Sequence, residues 1–301
     1  MAGLTDGRTG GRADGRITTR GVLPVDRLFL GYILFNTAVL LTRTRSVESW
    51  PLLVLANLFA ALLAVLLARA PRTKFVDLVG GAYPLLLATP FYTQLGIVTI
   101  DMGVLHDPVI QRLEQAVFGG QPSLTWHHAM PWPALSWILH ACYGGYYLVL
   151  LAAPLFLYLR RPQEVFERGV FIMTLGLYGC FAVFVLFPVA GPRYFWGNAT
   201  GAAASVLPAR LITNLLEGGS AMGTAFPSSH VAATWCAVYS VWRDARPLAL
   251  LLAPIAVGLA LGTVYGQFHY AVDALAGAGA AILACALADP LSRVAASRRS
   301  P

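Results

Sequence analysis

The stretch PLLVLANLFAALLAVLLA, residues 51–68, contains no charged side chain and decides the fold class of this chain. An apolar run of about 20 residues is the length that an α-helix needs to cross a bilayer. The composition agrees, because 57% of the 301 residues are hydrophobic and only 12% are charged, and the mean hydropathy is +0.65. A soluble domain carries about 25% charged residues. The sequence therefore predicts an integral membrane protein built from helices.

Further apolar segments follow one another along the chain with short separations. Segments of this length and spacing predict an all-α, polytopic membrane helix bundle with about eight spans. The predicted spans are residues 27–43, 50–70, 76–98, 134–159, 167–188, 229–243, 247–265 and 269–288.

One element between the third and fourth spans has a different pattern. HDPVIQRLEQAVFGG, residues 106–120, has a good helix start and a Gly-Gly stop, and it is too polar to span. Val109, Ile110, Leu113 and Val117 fall on one face of such a helix. We expect one amphipathic helix lying in the membrane interface.

The basic residues give an orientation. If the amino terminus is cytoplasmic, all but five of the 21 Lys and Arg face the cytoplasm, as the positive-inside rule requires. This predicts a multi-pass protein of the cell membrane with residues 1–26 as a disordered cytoplasmic tail and residues 291–301 as a basic cytoplasmic tail. A cytoplasmic belt of arginines also accounts for the net charge of +7, so no nucleic-acid partner is expected. The five exceptions are Arg43, Arg45, Arg112, Arg193 and Arg210.

Three polar segments lie at helix ends on the predicted extracytoplasmic side. They are FPVAGPRYF at 187–195, FPSSH at 226–230 and YGQFHYAVD at 265–273. Ionisable groups at a membrane indicate a functional site, and a guanidinium beside a helix amino terminus suits a phosphate anion. The segments predict one phosphate site containing Arg193, Ser228, Ser229, His230, His269 and Asp273.

The two histidines have different neighbours, which predicts different roles. His230 has no acid close in sequence, so it can act as a neutral nucleophile on phosphorus and form a phosphohistidine. His269 precedes Asp273 by four residues, and on a helix the carboxylate would keep the ring protonated. Such a ring can give a proton to the leaving oxygen and later accept one. The guanidinium and the serine hydroxyls would stabilise the phosphoryl charge, so neither a metal ion nor another cofactor is needed.

The segments GPR, PSSH and HYxxD, in this order, resemble the signature segments of the type 2 phosphatidic acid phosphatase superfamily. FPVAGPRYF and DPVIQRLEQAVFGGQPS are similar to the branch related to inositol phosphorylceramide synthase and other lipid inositolphosphotransferases. The resemblance implies a six-helix core at residues 73–290, with residues 27–72 as two additional transmembrane helices. It implies the same roles for the two histidines, with a phospholipid or polyprenyl phosphate as substrate among the membrane lipids.

The chain departs from the family pattern at two cations. Leu186 stands where the pattern has a lysine, and Thr263 stands where it has a second arginine. Gln267 can supply a neutral donor in its place, or Arg112 or Arg210 can restore the charge. Fewer cations suit a phosphodiester better than the more highly charged monoester, which favours headgroup transfer between lipids.

The glycine-rich stretch DALAGAGAA, residues 273–281, has two interpretations. A ladder of small side chains allows two helices to approach closely. A dinucleotide-binding turn is the alternative, but it requires a preceding β-strand. We expect a packing role.

Taken together, these patterns predict a membrane-embedded lipid phosphatase or phosphotransferase, transferring an inositol-phosphate or related headgroup. A simple phosphohydrolase of phosphatidic acid or a polyprenyl (di)phosphate is the alternative. A non-catalytic lipid-binding protein or a transporter is less favoured, because transporter sites lie at interrupted helices near the midplane. Zinc bound by the His and Asp set is also disfavoured, since Arg193 would lie beside a cation.

Overall fold

A computed structural model describes residues 18–100 and 105–297. Residues 1–17 of the predicted amino-terminal tail and residues 298–301 of the predicted carboxyl-terminal tail lie outside the described residues. The described chain is all-α, as predicted, and contains no β-strand. Its helices are α1 Pro24–Leu41, α2 Trp50–Arg69, α3 Lys74–Leu86, α4 Ala88–Ile100, α5 Asp107–Phe118, α6 Pro122–Ala129, α7 Pro133–Gly144, α8 Tyr146–Arg160, α9 Gln163–Leu186, α10 Pro192–Trp196, α11 Ala202–Ser205, α12 Leu207–Gly219, α13 Ser229–Trp242, α14 Arg246–Tyr265 and α15 Ala271–Ser297.

The long apolar helices make the chain a multi-pass membrane protein. Helices α7 and α8 together form one candidate span that bends by 43°. Large apolar side chains on the outer helices point away from the bundle; on α2, for example, Leu52 is 66% exposed and Phe59 69%. Such surfaces suit lipid rather than water. In the described chain, six more segments are long and apolar enough to span: Pro24–Leu41, Trp50–Arg69, Lys74–Thr99, Gln163–Leu186, Arg246–Tyr265 and Ala271–Leu291.

Helix α13 corresponds to the sixth predicted span, residues 229–243, but it has only 14 residues and extends about 21 Å. A bilayer core is about 30 Å thick. Nevertheless α13 connects the two ends of the bundle. At its start the Ser228 amide donates to the Asp273 carbonyl (2.9 Å), and after its end the Asp244 carbonyl accepts from Arg161, which lies just before α9. Because α8, α9, α14 and α15 surround it, α13 is an inner helix with little contact with lipid.

The two ends of the bundle differ in chemistry. One end carries buried or partly buried ion pairs, Arg20 with Asp26 at 2.9 Å and Arg168 with Asp289 at 2.8 Å. At the other end α9 and α14 finish and α13 and α15 begin. The three polar segments of the sequence therefore lie together at that second end.

Helix α5 is amphipathic in an unusual way. Val109, Leu113 and Val117 are 43–54% exposed, as a helix facing the membrane interface requires. Ile110, which the sequence grouped with them, is instead 2% exposed and packs beside Tyr270. The face of α5 that packs on the bundle is polar.

Several short helices lie where the sequence predicted none. The segments around residues 122–129 and 192–219 contain no apolar run of about 20 residues, so hydropathy did not predict helices there. Of these helices α12 matters most, because its Leu216 lies against the polar end of the bundle. The others are α6, α10 and α11.

Candidate active site

Backbone hydrogen bonds hold the three polar segments side by side. The Val189 amide donates to the Gly223 carbonyl (3.3 Å), and the Ala225 amide donates to the Val189 carbonyl (2.8 Å). The Ala225 carbonyl in turn accepts from Nδ1 of His269 at 2.9 Å. An isolated β-bridge thus joins the segment before Arg193 to the segment before His230, and His269 is hydrogen-bonded to the second of these segments.

His230 lies in the first turn of α13, as predicted. Ser228 is the N-cap, and its hydroxyl accepts a long 3.5 Å hydrogen bond from the Val231 amide. Helix α15 packs very closely on this turn, since a Cβ at Gly277 would lie 2.4 Å from the Ser228 carbonyl oxygen. Gly277 thus allows α15 to pack against the turn of α13 that carries the histidine.

Two tyrosines enclose the His230 ring. The ring is stacked on Tyr143 with 5.4 Å between centroids and lies 4.5 Å from the Tyr146 centroid. Its Nδ1 atom is buried and has no hydrogen-bond partner in the described chain. Packing rather than hydrogen bonding fixes this ring, and a ring nitrogen is left for a ligand.

His269 is held differently from the sequence prediction. It lies in the turn before α15, so the argument that His269 and Asp273 share a helical face is wrong. Their closest side-chain atoms, Nδ1 and Oδ2, are still 3.5 Å apart, but the shorter bond of Nδ1 is to Ala225. Asp273 Oδ2 accepts from the Tyr270 amide at 2.8 Å and so caps α15.

This geometry determines the state of the His269 ring. A carbonyl can only accept, so Nδ1 carries a hydrogen and Nε2 is the atom left to exchange a proton. Burial lowers the pKa of His269 to about 4, and the Ala225 carbonyl offsets only part of this effect. The surroundings supplied by the protein thus favour a neutral ring, contrary to the prediction that Asp273 keeps it protonated.

Arg193 comes from the short helix α10, after a glycine that the turn requires. Gly191 has φ +99°, and a Cβ there would lie 3.3 Å from the Phe268 carbonyl oxygen and 3.1 Å from the Ala225 Cβ. The Arg193 guanidinium lies over the Tyr194 ring, and its buried Nη1 has no partner in the described chain. A buried, unpaired donor of this kind indicates a place for an anion.

Arg193, His230 and His269 line one small cavity of about 30 Å³, which we call the phosphate cavity. The two histidine ring centroids are 6.0 Å apart. A phosphoryl group that is attacked by one ring and receives a proton on its leaving oxygen from the other has to contact both rings, each at about 3 Å. The spacing is therefore suitable for phosphoryl transfer.

A second cavity of about 230 Å³ adjoins the first, and we call it the lateral cavity. It lies between α4, α8, α9 and α12, and apolar side chains such as Leu177 and Phe181 line it. His230, Tyr92 and Leu216 line both cavities. His230 is thus located where the cavity lined by Arg193 and His269 meets the cavity lined by Leu177 and Phe181.

The other predicted site residues do not line the phosphate cavity. Ser229 lines the lateral cavity, whereas Ser228 uses its hydroxyl to cap α13. Gln267 is 2% exposed, has φ +59° and lines neither cavity, so the prediction that it replaces the missing arginine is not supported. Arg112 and Arg210 are exposed and line neither cavity either.

Several residues that line the phosphate cavity were not predicted from the sequence. The Thr224 hydroxyl donates a hydrogen bond to the Tyr92 hydroxyl at 2.9 Å. The hydroxyls of Tyr194 and Ser220 are hydrogen-bonded at 2.7 Å. Tyr143 could have been suspected only from its spacing to Tyr146, which would put both on one face of the predicted span 134–159. Among the described residues, no three His, Cys, Asp or Glu side chains are grouped so that they could hold a metal ion.

The fold and this pair of cavities define a helical membrane protein with a candidate phosphate site at one end of the bundle. Residues 109–287 match the family model of the PAP2 superfamily, and the chain belongs to that superfamily. The predicted type 2 phosphatidic acid phosphatase superfamily is thereby confirmed, while the branch of inositol phosphorylceramide synthase stays a prediction. The span Lys74–Thr99, which the predicted core included, lies outside the matched residues. No curated protein and no solved structure shows significant similarity to the chain.

Proposed function

We propose that the chain is a metal-independent lipid phosphatase or phosphotransferase that uses His230 as its nucleophile. The observation that carries this proposal is the position of His230 at the junction of the two cavities. A lipid phosphate ester has a charged head and an apolar chain joined at the phosphorus. The phosphate cavity suits the head, and the lateral cavity suits the chain.

The reaction begins with attack of a neutral His230 nitrogen on phosphorus. The bond from phosphorus to the leaving oxygen breaks, and Nε2 of His269 gives that oxygen a proton. In the second half, His269 takes a proton from water or from the hydroxyl of an acceptor, which attacks the phosphohistidine and releases His230. Arg193 stabilises the charge on the phosphoryl oxygens in both halves.

The substrate itself supplies the charge that His269 needs for the first step. The pKa of His269 is lowered to about 4 by burial. An anion beside an imidazole favours the protonated form. A phosphate bound in the cavity therefore raises the pKa of His269. The ring becomes protonated when the substrate binds and can then act as the acid of the first step.

The shortage of cations supports transfer of a phosphodiester headgroup, such as inositol phosphate, over hydrolysis of a monoester. Of the described residues that line the phosphate cavity, Arg193 is the single Lys or Arg. Leu186 and Thr263 occupy the positions of the two missing family cations. One guanidinium suits a phosphodiester with one negative charge better than a monoester with nearly two. Hydrolysis of phosphatidic acid or a polyprenyl (di)phosphate is the alternative reaction.

A substrate panel tests the proposal. Purified protein is incubated with labelled phosphatidylinositol, phosphatidic acid and a polyprenyl diphosphate, each with and without an acceptor lipid. We expect one of these to be turned over, with acceptor-dependent product for the transferase. His230→Ala should abolish turnover, whereas the control His128→Ala, an exposed histidine outside both cavities, should not. Full activity of His230→Ala would rule out the mechanism.

The lateral cavity can be tested with two neighbouring glycines. A Cβ at Gly218 or at Gly219 meets no atom within 4 Å, but only Gly219 lines the cavity. Gly219→Leu should raise KM for a long-chain lipid substrate and leave a short soluble phosphate ester unaffected, with Gly218→Leu as the matched control. Equal KM values for the two variants would contradict the proposed chain site.

We also propose that the site faces the extracytoplasmic side. The described ends of the bundle support this, because Arg20, Arg72, Arg161 and Arg168 lie at the end opposite to His230. A protease-cleavable tag at residue 301 should then be reachable only from the cytoplasm. Cleavage from outside intact cells would reverse the orientation.

A further inference from the structure

The buried face of α5 carries polar side chains at helical spacing. Asp107, Gln111 and Glu114 follow one another at four and three residues, so they lie on one face. Asp107 and Glu114 are both 0% exposed. Burial of a carboxylate is unfavourable unless hydrogen bonds compensate it. The partners of these groups therefore explain why α5 places acids toward the bundle.

Asp107 binds both loops of the candidate active site. Its Oδ2 accepts from the Ala190 amide and its Oδ1 from the Gly191 amide, each at 2.8 Å. Its Oδ1 also accepts from the Tyr270 hydroxyl at 3.1 Å. The first two contacts hold the loop that leads into Arg193, and the third holds the residue after His269.

The rest of the α5 face binds the same two segments. Gln111 Nε2 donates to the Tyr270 hydroxyl at 2.9 Å, and Glu114 Oε1 accepts from the Ala271 amide at 3.2 Å. The His106 amide, just before α5, donates to the Pro188 carbonyl at 2.9 Å. Helix α5 thus acts as a clamp across the loop of Arg193 and the start of α15.

We propose that Asp107 is a positioning residue, which fixes the Arg193 loop relative to His269 by accepting hydrogen bonds from both segments at one carboxylate. This inference rests on the proposed function of the site. The family match begins at residue 109, so Asp107 lies outside the matched residues. Asp107 contacts the backbone and Tyr270 rather than the phosphate cavity.

The physical reason is the cost of unpaired buried donors. Without the carboxylate, the amides of Ala190 and Gly191 would lose their acceptor in a buried loop, and the loop would shift to find another. Gly191 already has φ +99°, so its turn has few alternative conformations. A shift there moves Arg193, which is two residues further on.

Asp107→Asn is the test, because it keeps the side-chain shape and removes one acceptor. We expect kcat/KM to fall about tenfold to a hundredfold, as for a misplacement of about 1 Å, with the folded protein retained. The control is Asp26→Asn, which changes a carboxylate that is equally buried but lies at the other end of the bundle. It should lower the melting temperature and leave kcat/KM of the folded protein within about twofold, an ordinary change for a residue outside the site.

A double variant separates positioning from a general structural role. In an Arg193→Lys background, Asp107→Asn should reduce kcat/KM by less than about threefold, because the guanidinium contact that the loop geometry positions is already lost. The same factor in both backgrounds, or a kcat/KM of Asp107→Asn within twofold of the wild type, would overturn the proposal.

If Asp107→Asn does not fold, Tyr270→Phe provides the second measurement. It removes one of the three hydrogen bonds to Asp107 and should show a smaller loss of kcat/KM with the same non-additivity toward Arg193→Lys. An additive loss would overturn the proposal here too. If the Asp107 proposal is wrong, the wild-type protein should still be phosphorylated on His230 during turnover. If the proposed function is wrong, that phosphorylation should be absent, so the two failures are distinguishable.

Discussion

Addition of one methyl group to α15 should displace the nucleophile. In Gly277→Ala the new Cβ would lie 2.4 Å from the Ser228 carbonyl oxygen and 3.1 Å from the Val231 Cβ. Ordinary contact begins near 3.4 Å, so the first turn of α13 has to move by about 1 Å. A displacement of about 1 Å at a catalytic group costs on the order of a hundredfold in rate. Overpacking of this kind also destabilises by about 1–3 kcal/mol.

The assay for Gly277→Ala compares initial rates on the best lipid substrate with thermal unfolding in the same detergent. The matched control is Gly279→Ala, two residues along the same helix, where an added Cβ meets nothing within 4 Å. We expect kcat to fall strongly for the first variant and to stay near the wild-type value for the second. If both variants keep wild-type kcat, the close packing of α15 does not position His230.

Three further predictions concern charge and protonation. Burial, together with the nearby Asp273, raises the pKa of Glu114 to about 7; since this exceeds the unfolded value, wild-type stability is full below about pH 4.5 and declines as pH rises through 7. The free energy of unfolding of Glu114→Gln, relative to that of the wild type, should therefore increase by on the order of 3 kcal/mol between pH 5 and pH 8. A difference between the two proteins that does not change with pH would refute this. Asp26→Asn breaks the buried pair with Arg20 and should cost about 3–5 kcal/mol of unfolding free energy, which a thermal shift of only a degree or so would contradict. His269→Ala should form phosphoenzyme at a near-normal rate from an ester with a good leaving group but hydrolyse it about 10²–10⁴-fold more slowly, and equal slowing of both steps in rapid-quench experiments would argue against the acid and base roles.

The transmembrane architecture was readable from the sequence because lipid imposes a simple rule on helix surfaces. Helix α2 was predicted at residues 50–70 and is observed at Trp50–Arg69, with leucines exposed along its outer face. Hydropathy reports this property directly. Hydropathy does not report whether an apolar helix faces lipid or other helices. The short inner helix α13 was therefore predicted in the same way as the spans that surround it.

The separate parts of the candidate site were also visible, but their connections were not. His230 at the start of a helix follows from Ser228 as an N-cap and from the apolar run behind it. The partner of His269 does not follow, because the acceptor of its Nδ1 is a backbone carbonyl, Ala225, from a segment 44 residues earlier. The helical spacing rule pointed to Asp273 instead, because the predicted span began at His269, whereas α15 begins at Ala271.

Asp107 shows the same limit more clearly. In the sequence it is a good first residue for an amphipathic helix, and that expectation is correct. Its contacts with Ala190 and Gly191 span more than 80 residues of sequence and use only backbone amides, which any residue provides. Periodicity identifies the faces of one helix, but it does not identify what each face will touch.

The most direct test of the mechanism is the identity of the phosphorylated residue during turnover. Wild-type protein is mixed with a labelled lipid phosphate, quenched at alkaline pH within one turnover, digested and analysed by mass spectrometry. We predict an acid-labile phosphoryl group on His230, present also in His269→Ala and absent in His230→Ala. Turnover without any phosphorylated protein, or with the phosphoryl group on a different residue, would contradict the role assigned to His230.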